Sequence, residues 1–265
     1  MGPDPGRAAE DRALLVAAAE AGGRVALAHH GRSPRAWEKA GGQGPVSDAD
    51  LAVNEALAAK LRAARPDYAW LSEEDPDTPA RLGAARVFVL DPIDGTRAFL
   101  AGKPDFAVSI AVGEHARVTA GVVHLPARET TYAAHLGGGA ARDGRPIAPS
   151  GRTELAGAAA VGPKSQYRAE HWPGGAPRVE ASFRAALAWR LCLVAEGRFD
   201  LKVTVRPAWE WDVAAGALIC TEAGARVADA EGRPLSFNAP EARLPGVIAA
   251  APGIFNQIVA LRCGA

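Results

Sequence analysis

Residues 87–100 read V-F-V-L-D-P-I-D-G-T-R-A-F-L. Four apolar residues, Val87 to Leu90, run directly into Asp91 and Asp94. A short apolar run bounded by turn residues reads as a buried strand. Charge at the edge of a core is unfavourable unless something compensates it. Pro92 keeps Asp91 extended and is expected to end the strand, after which Asp94-Gly95 turns the chain. Both carboxylates can then point into one cavity, with the Ile93 carbonyl between them. An all-oxygen set of this kind suits a hard cation such as Mg²⁺. Thr96 opens T-R-A-F-L, a predicted helical turn whose first N–H groups face the same cavity and could hold a phosphate.

Upstream, residues 9–28 place Leu14, Leu15, Ala18 and Val25 at helical spacing, and Ser47 is a good N-cap for S-D-A-D-L-A-V-N-E-A-L-A-A-K-L. Leu51, Asn54 or Glu55, Ala58 and Leu61 recur along that second helix. The Gly- and Pro-rich stretch between the helices, residues 29–45, reads as a mobile loop. Y-A-W-L-S-E-E-D is a short strand ending in acids, and the runs that follow, up to about residue 150, suggest a largely antiparallel sheet. From residue 151 strands alternate with helices, including A-S-F-R-A-A-L-A-W-R-L-C-L-V-A-E-G and D-V-A-A-G-A-L-I-C-T-E-A-G as helices. That pattern points to a second, mixed or parallel sheet covered on both faces. The chain is therefore expected to divide into an α+β part, 1–150, and an α/β part, 151–265, with a cleft between them.

Composition narrows the class. The 265 residues carry 30 Lys+Arg and 30 Asp+Glu, so there is no basic excess to attract nucleic acid polymer or an anionic membrane. The N-terminus lacks a basic segment followed by an apolar run, and no stretch is long and apolar enough to span a bilayer. The 3 cysteines form no C-x-x-C pair and read as reduced thiols of a cytoplasmic protein.

Three groups of acids stand at predicted element ends: Glu73-Glu74, Asp91 with Asp94, and Asp212 in E-W-D-V-A-A-G. Singly each has an ordinary reading, as a solvated turn, a turn signal or a helix cap. Together they resemble a known family. V-L-D-P-I-D-G-T and W-D-V-A-A-G-A-L-I-C-T-E-A-G are similar to the two signatures of the inositol monophosphatase superfamily. S-E-E and V-S-D-A-D-L match its upstream acidic motif and the pattern before its second helix, in the same order.

The resemblance implies an α+β fold, the layered αβαβα sandwich shared with fructose-1,6-bisphosphatase. It implies a Mg²⁺-dependent phosphatase acting on a small soluble phosphate ester. One ion would sit on Glu73, Asp91 and the Ile93 carbonyl, and a second on Asp91, Asp94 and Asp212; a third, weaker ion near Glu73 is common in the family. Asp50 paired with Thr96 would help activate water, Gly95 and Thr96 would bind phosphate through N–H groups, and Asp212 would also face substrate. Lys39 stands where members often carry a loop lysine, and Glu74 would back Glu73. A homodimer is expected by analogy.

The ester itself is narrowed by departures from the family pattern. Inositol monophosphatases usually place a Glu seven residues before the W-D aspartate, where this chain has Val205. L-C-L-V-A-E-G-R-F-D-L is similar to bacterial 3′(2′),5′-bisphosphate nucleotidases, although their P-R-F-G-like segment is replaced by K-V-T-V-R-P. G-T-R-x-F followed by G-K-P is also found in histidinol-phosphate phosphatases. The nucleotidase branch is the favoured expectation, with inositol 1-phosphate and histidinol phosphate as alternatives. In that branch Arg190, Lys202 and Arg206 would serve a second phosphate, and Trp189, Trp209 and Trp211 would stack a base or pack the core. A non-catalytic protein binding metal and phosphate is the alternative of another class.

Overall fold

The computed structural model describes residues 4–39 and 44–264. Helix α1 (Pro5–His29) starts where Asp4 accepts hydrogen bonds from the Gly6 and Arg7 amides, with Pro5 in the first turn. Helix α2 (Asp48–Ala64) follows a two-stranded hairpin, β1 (Ala36–Glu38) and β2 (Pro45–Ser47). The stretch expected as a mobile loop is thus partly paired, because Ala36 to Glu38 find backbone partners in Pro45 to Ser47. Part of that expectation, residues 40–43, lies outside the described residues. On α2 the buried face runs through Ala49, Asp50, Val53, Asn54, Leu57 and Leu61, while Leu51 turns outward.

Seven strands form the first sheet in sequence order: β3 (Ala69–Ser72), β4 (Arg86–Asp94), β5 (Ala107–Glu114), β6 (Arg117–Leu125), β7 (Thr130–His135), β8 (Ala140–Arg142) and β9 (Arg145–Pro146). Only β3 and β4 are parallel. Side chains alternate across a strand, so each strand serves two cores. Phe88, Leu90, Val108, Ile110 and Val122 pack against α1 and α2. Val87, Val89, Ala111, Val123 and Tyr132 face the other way, onto α4 (Leu187–Ala195) and α5 (Glu210–Ala223). A side chain at Gly121 on β6 would stand 3.0 Å from the Ala215 Cα of α5, so glycine lets that helix lie directly on the sheet.

The second sheet runs β11 (Val179–Ser182), β10 (Ala158–Val161), β12 (Leu201–Thr204), β16 (Val247–Ala250), β14 (Arg226–Ala228). It is mixed: β10 is parallel to β11 and β12, and β16 antiparallel to β12 and β14. Val247 and Ala249 join the central core around α4 and α5, whereas Leu201, Val203 and Ile248 pack under α6 (Pro252–Cys263). A two-stranded ribbon, β13 (Ala208–Trp209) with β15 (Arg243–Leu244), completes the strands. The three apolar cores, the central one lying on both faces of the α4–α5 layer, therefore separate five layers: helices, sheet, helices, sheet, helix. This is the αβαβα sandwich. No described helix is long and apolar enough to cross a membrane.

Two local expectations are corrected. Pro92 does not end β4, which runs on to Asp94 through a bulge. The helix expected over residues 181–197 is shorter, because Ala181 and Ser182 pair in β11 and α4 begins only at Leu187. Ala186 just before it has a positive φ of 55°, outside helical geometry.

Candidate metal centre

The bulge in β4 explains how two aspartates three apart share a cavity. Asp91 lies opposite Ser109 and Asp94 opposite Ala107, so β4 inserts one residue more than its partner between them. In a regular strand that spacing places side chains on opposite faces; the extra residue re-aims them. The parallel pairing of β3 with β4 delivers Glu73 beside them, and its amide donates to the Leu90 carbonyl at 3.2 Å. Asp212 arrives on the first turn of α5, which Ser109 Oγ fastens by donating to the Trp211 carbonyl at 3.2 Å. The α5 cap is Trp209, so Asp212 is free of capping. One carboxylate oxygen each from Glu73, Asp91 and Asp212 lie within 4.8 Å of one another.

These groups line a cavity of about 280 Å³, together with Ile93, Asp94, Gly95, Thr96, Phe183, Leu187 and Arg190. A larger hollow of about 750 Å³ lies between α1 and the β6–β7 edge and contains none of the acidic cluster. The acidic cluster belongs to the smaller one. Burial, then the charge of Glu73 and the neighbouring aspartates, pushes the Asp91 carboxyl well above its ordinary range. Burial and then Asp94 and Glu73 do the same for Asp212, against the opposing pull of Lys202 and Arg190. Without a cation these carboxylates hold protons or repel. The all-oxygen, buried, mutually repelling donor set fits a hard divalent cation.

Asp94 has a second task. Its two oxygens accept from the Leu187 and Ala188 amides at 2.9 and 2.6 Å, tying the start of α4 to the Asp94–Gly95 turn. Burial raises its carboxyl to about 6, and those amides moderate the rise. Gly95 adopts φ +98°, and a side chain there would meet the Asp105 carbonyl at 3.0 Å and the Ala186 amide at 3.2 Å. Only glycine fits both the turn and the space. Thr96 then starts a five-residue helix, α3 (Thr96–Leu100), whose first amides have no partner inside the helix.

The Thr96 hydroxyl lies 3.2 Å from Asp50 Oδ1 and 3.1 Å from the Ile93 carbonyl. Asp50 is fully buried, and its other oxygen accepts from the Ser47 amide and hydroxyl at 2.8 and 2.6 Å. Burial raises the Asp50 carboxyl and the Ser47 bonds hold the rise in check. Lys39 on the hairpin donates to Glu73 Oε1 and Glu74 Oε1, both at 2.8 Å. Burial works against the Lys39 charge, yet the two glutamates hold its pKa above the ordinary lysine value. Burial carries Glu74 up to about 7 despite that lysine.

A sequence model described as the inositol monophosphatase family matches residues 8–262. The chain belongs to the inositol monophosphatase family. Like its relatives it is a phosphatase, a hydrolase of phosphate monoesters. An inositol-1-monophosphatase of Rhizobium meliloti is 36% identical over 71% of this chain and 73% of its own length. The 3′(2′),5′-bisphosphate nucleotidase CysQ of Escherichia coli is 31% identical over 86% of this chain and 94% of its own. In fold, the chain is similar to the Thermotoga maritima IMPase, with a TM-score of 0.80 at 27% identity over 94% of each chain. CysQ of Bacteroides thetaiotaomicron superposes with a TM-score of 0.75 at 26% identity, over 91% of this chain and 97% of its own.

Within this family member, several expected substrate contacts lie elsewhere. Arg206 is exposed and does not line the cavity. Lys202 is fully buried on β12, bonded to the Thr204 hydroxyl, and is likewise absent from the cavity wall. Trp189 packs into the core under Arg128, while Trp209 and Trp211 stack on each other at 4.6 Å. Arg190 does reach the cavity. Phe183, exposed at the rim, escaped the sequence reading; Ser47 is the helix N-cap expected from the sequence, but its hold on Asp50 was not read there. The S-x-x-D spacing of a capping box was the available signal for Ser47.

Proposed function

We propose that the chain is a Mg²⁺-dependent phosphomonoesterase whose substrate is a small soluble phosphate ester, with a 3′(2′),5′-bisphosphate nucleotidase as the favoured branch. The observation that carries the reading is the convergence of Glu73, Asp91 and Asp212 on one point beside the Asp50–Thr96 pair. Glu73, Asp91 and the Ile93 carbonyl would hold one ion, and Asp91, Asp94 and Asp212 another. Bound divalent ions supply charge neutralisation and acidify a water for in-line attack on phosphorus.

The chain's own groups do the rest. The Thr96 hydroxyl donates toward Asp50 Oδ1, so its oxygen is left to accept a proton from a water in the cavity. Asp50, its carboxyl raised by burial, is a stronger base than an ordinary aspartate and takes the Thr96 proton in turn. The Gly95 and Thr96 amides point their dipoles at the phosphoryl oxygens. Positioning and charge neutralisation are most of what phosphoryl transfer requires.

Glu73, Asp91, Asp94, Asp212 and the Asp50–Thr96 pair stand together at one cavity, which favours a catalytic protein over a non-catalytic metal- and phosphate-binding one. Phosphate release from several esters, with Mg²⁺ and with EDTA, tests the reading. Release that needs the metal and disappears in Asp91→Asn supports it. Folded protein that releases no phosphate from any ester overturns it.

A further inference from the structure

Asp50 accepts hydrogen bonds at both of its oxygens. The Thr96 hydroxyl donates to Oδ1 at 3.2 Å, and the Ser47 amide and hydroxyl donate to Oδ2 at 2.8 and 2.6 Å. The Ser47 hydroxyl is the closest of these donors, and 2.6 Å is within the range of a charge-assisted O–H···O⁻ bond. Ser47 and Asp50 are both fully buried, so bulk water does not share the contact. An N-cap serine ordinarily uses its oxygen to accept from a backbone amide. Here the hydroxyl proton goes instead to the carboxylate of the residue three further on. The start of α2 does not require that bond.

The direction of the donation decides its effect. A donor aimed at a carboxylate favours the ionised form. Two donors on Oδ2 also fix the plane of the carboxyl and leave Oδ1 for Thr96. Ser47 closes β2 opposite Ala36 of β1, so the hairpin that carries Lys39 is joined to Asp50 through this residue. The charged neighbours come from beyond β3. Glu73 opposes the Asp50 charge, Asp50 in turn opposes that of Glu74, and Lys39 is bonded to both glutamates. From α3 the neighbour is the neutral Thr96 hydroxyl.

We propose that Ser47 is a positioning residue of the reaction: its hydroxyl keeps Asp50 ionised and holds Oδ1 toward Thr96, so that the pair can take a proton at neutral pH. This rests on the phosphatase reading and adds to it the group that keeps the base charged. The attacking water gives its proton to Thr96 Oγ1, and the Thr96 proton passes to Asp50 Oδ1. One O–H bond forms for each that breaks, the electron pair stays on the water oxygen for attack on phosphorus, and Ser47 keeps its own proton throughout.

The test follows kcat/KM for p-nitrophenyl phosphate against pH, at saturating Mg²⁺, for wild type, Ser47→Ala and Ser47→Thr. A hydrogen bond to a charged group moves its titration by about one to two pH units. Ser47→Ala is expected to shift the acid limb upward by that amount, a loss of about 10- to 100-fold below the limb, while rates at high pH stay close to wild type. Ser47→Thr keeps the hydroxyl and the wild-type limb. In a Thr96→Val background, where the proton path is already cut, Ser47→Ala moves nothing further. Carbon-13 NMR of the carboxyl signal that disappears in Asp50→Asn reads the same upward shift in Mg²⁺-loaded protein without turnover. A Ser47→Ala rate lowered equally at every pH overturns the proposal, since Ser47 then serves only the helix start. An equal shift of the limb in the Thr96→Val background overturns it too, since Ser47 then acts through the metal-binding carboxylates. An unmoved Asp50 signal overturns it while p-nitrophenyl phosphate turnover leaves the phosphatase reading standing. No turnover of any ester by wild type removes the phosphatase reading and the reaction that Ser47 serves with it.

Discussion

Replacing Asp212 by Asn should stabilise the metal-free protein and destabilise the metal-loaded one relative to wild type. Burial on α5, then the charges of Asp94 and Glu73, raise the folded pKa of Asp212 well above the ordinary 3.8 against the pull of Lys202 and Arg190. Each pH unit between the ordinary pKa and the working pH adds about 1.4 kcal/mol to the work of keeping the carboxyl protonated. At pH 7 that amounts to at most about 4 kcal/mol, and at pH 5 to about 1.5 kcal/mol. Asparagine keeps the shape and does not titrate. Asp91 relaxes when its neighbour is neutralised, so the realised gain is smaller, and about 1–3 kcal/mol is expected at pH 7. For a chain of this size that is a melting temperature several degrees higher in EDTA, at about 2–4 °C per kcal/mol. Mg²⁺ reverses the order. Wild type gains about 2.7 kcal/mol at a hundred times Kd, and the variant loses a ligand and most of that gain. Thermal melting of both proteins, in EDTA at pH 5 and 7 and across a Mg²⁺ titration, reads the crossing directly. An Asp212→Asn protein that melts lower than wild type in EDTA at pH 7, or that gains as much from Mg²⁺, would refute the repulsion argument.

Three further outcomes follow from the same site. Metal-free wild type should lose stability as pH rises from about 4 to 7.5, because Asp94 and Glu74 have folded pKa values near 6 and 7, above their unfolded values, and the native state binds more protons in that window; a melting temperature that climbs with pH in EDTA contradicts this. Thr96→Ala should lower kcat by about 10²–10⁴ with little change in melting temperature, since it removes the proton path to Asp50 and no buried apolar contact; steady-state kinetics decide it. Gly95→Ala should destabilise by at least about 1–2 kcal/mol from the left-handed backbone alone, and the contact with the Asp105 carbonyl adds to this; a denaturant melt unchanged from wild type rules it out.

Much of the site was legible before folding because its residues are local. Asp91, Ile93, Asp94, Gly95 and Thr96 lie within six positions, and a strand running into Asp-Pro-x-Asp-Gly has few ways to hide its charges. The strand after Pro92 was misread because a bulge is a property of a pair. Nothing in β4 alone says that Ser109 and Ala107 will oppose it one residue out of step. The shortened α4 has a similar origin. Ala181 and Ser182 carry helix-compatible side chains, but they are drawn into β11 by Ala160 and Val161 far away in the chain.

By itself the sequence determined the metal-ligand candidates, the alternation of antiparallel and mixed sheets and the family, since each rests on short-range patterns of polarity and turn chemistry. Only the tertiary structure decided which charged residues line the cavity. Lys202 and Arg190 look alike as isolated cations in the chain. One faces inward from the middle of β12, bonded to Thr204, and the other stands at the cavity wall with its donors open. Strand register and helix phase set that difference, and both are fixed by what packs on the other side.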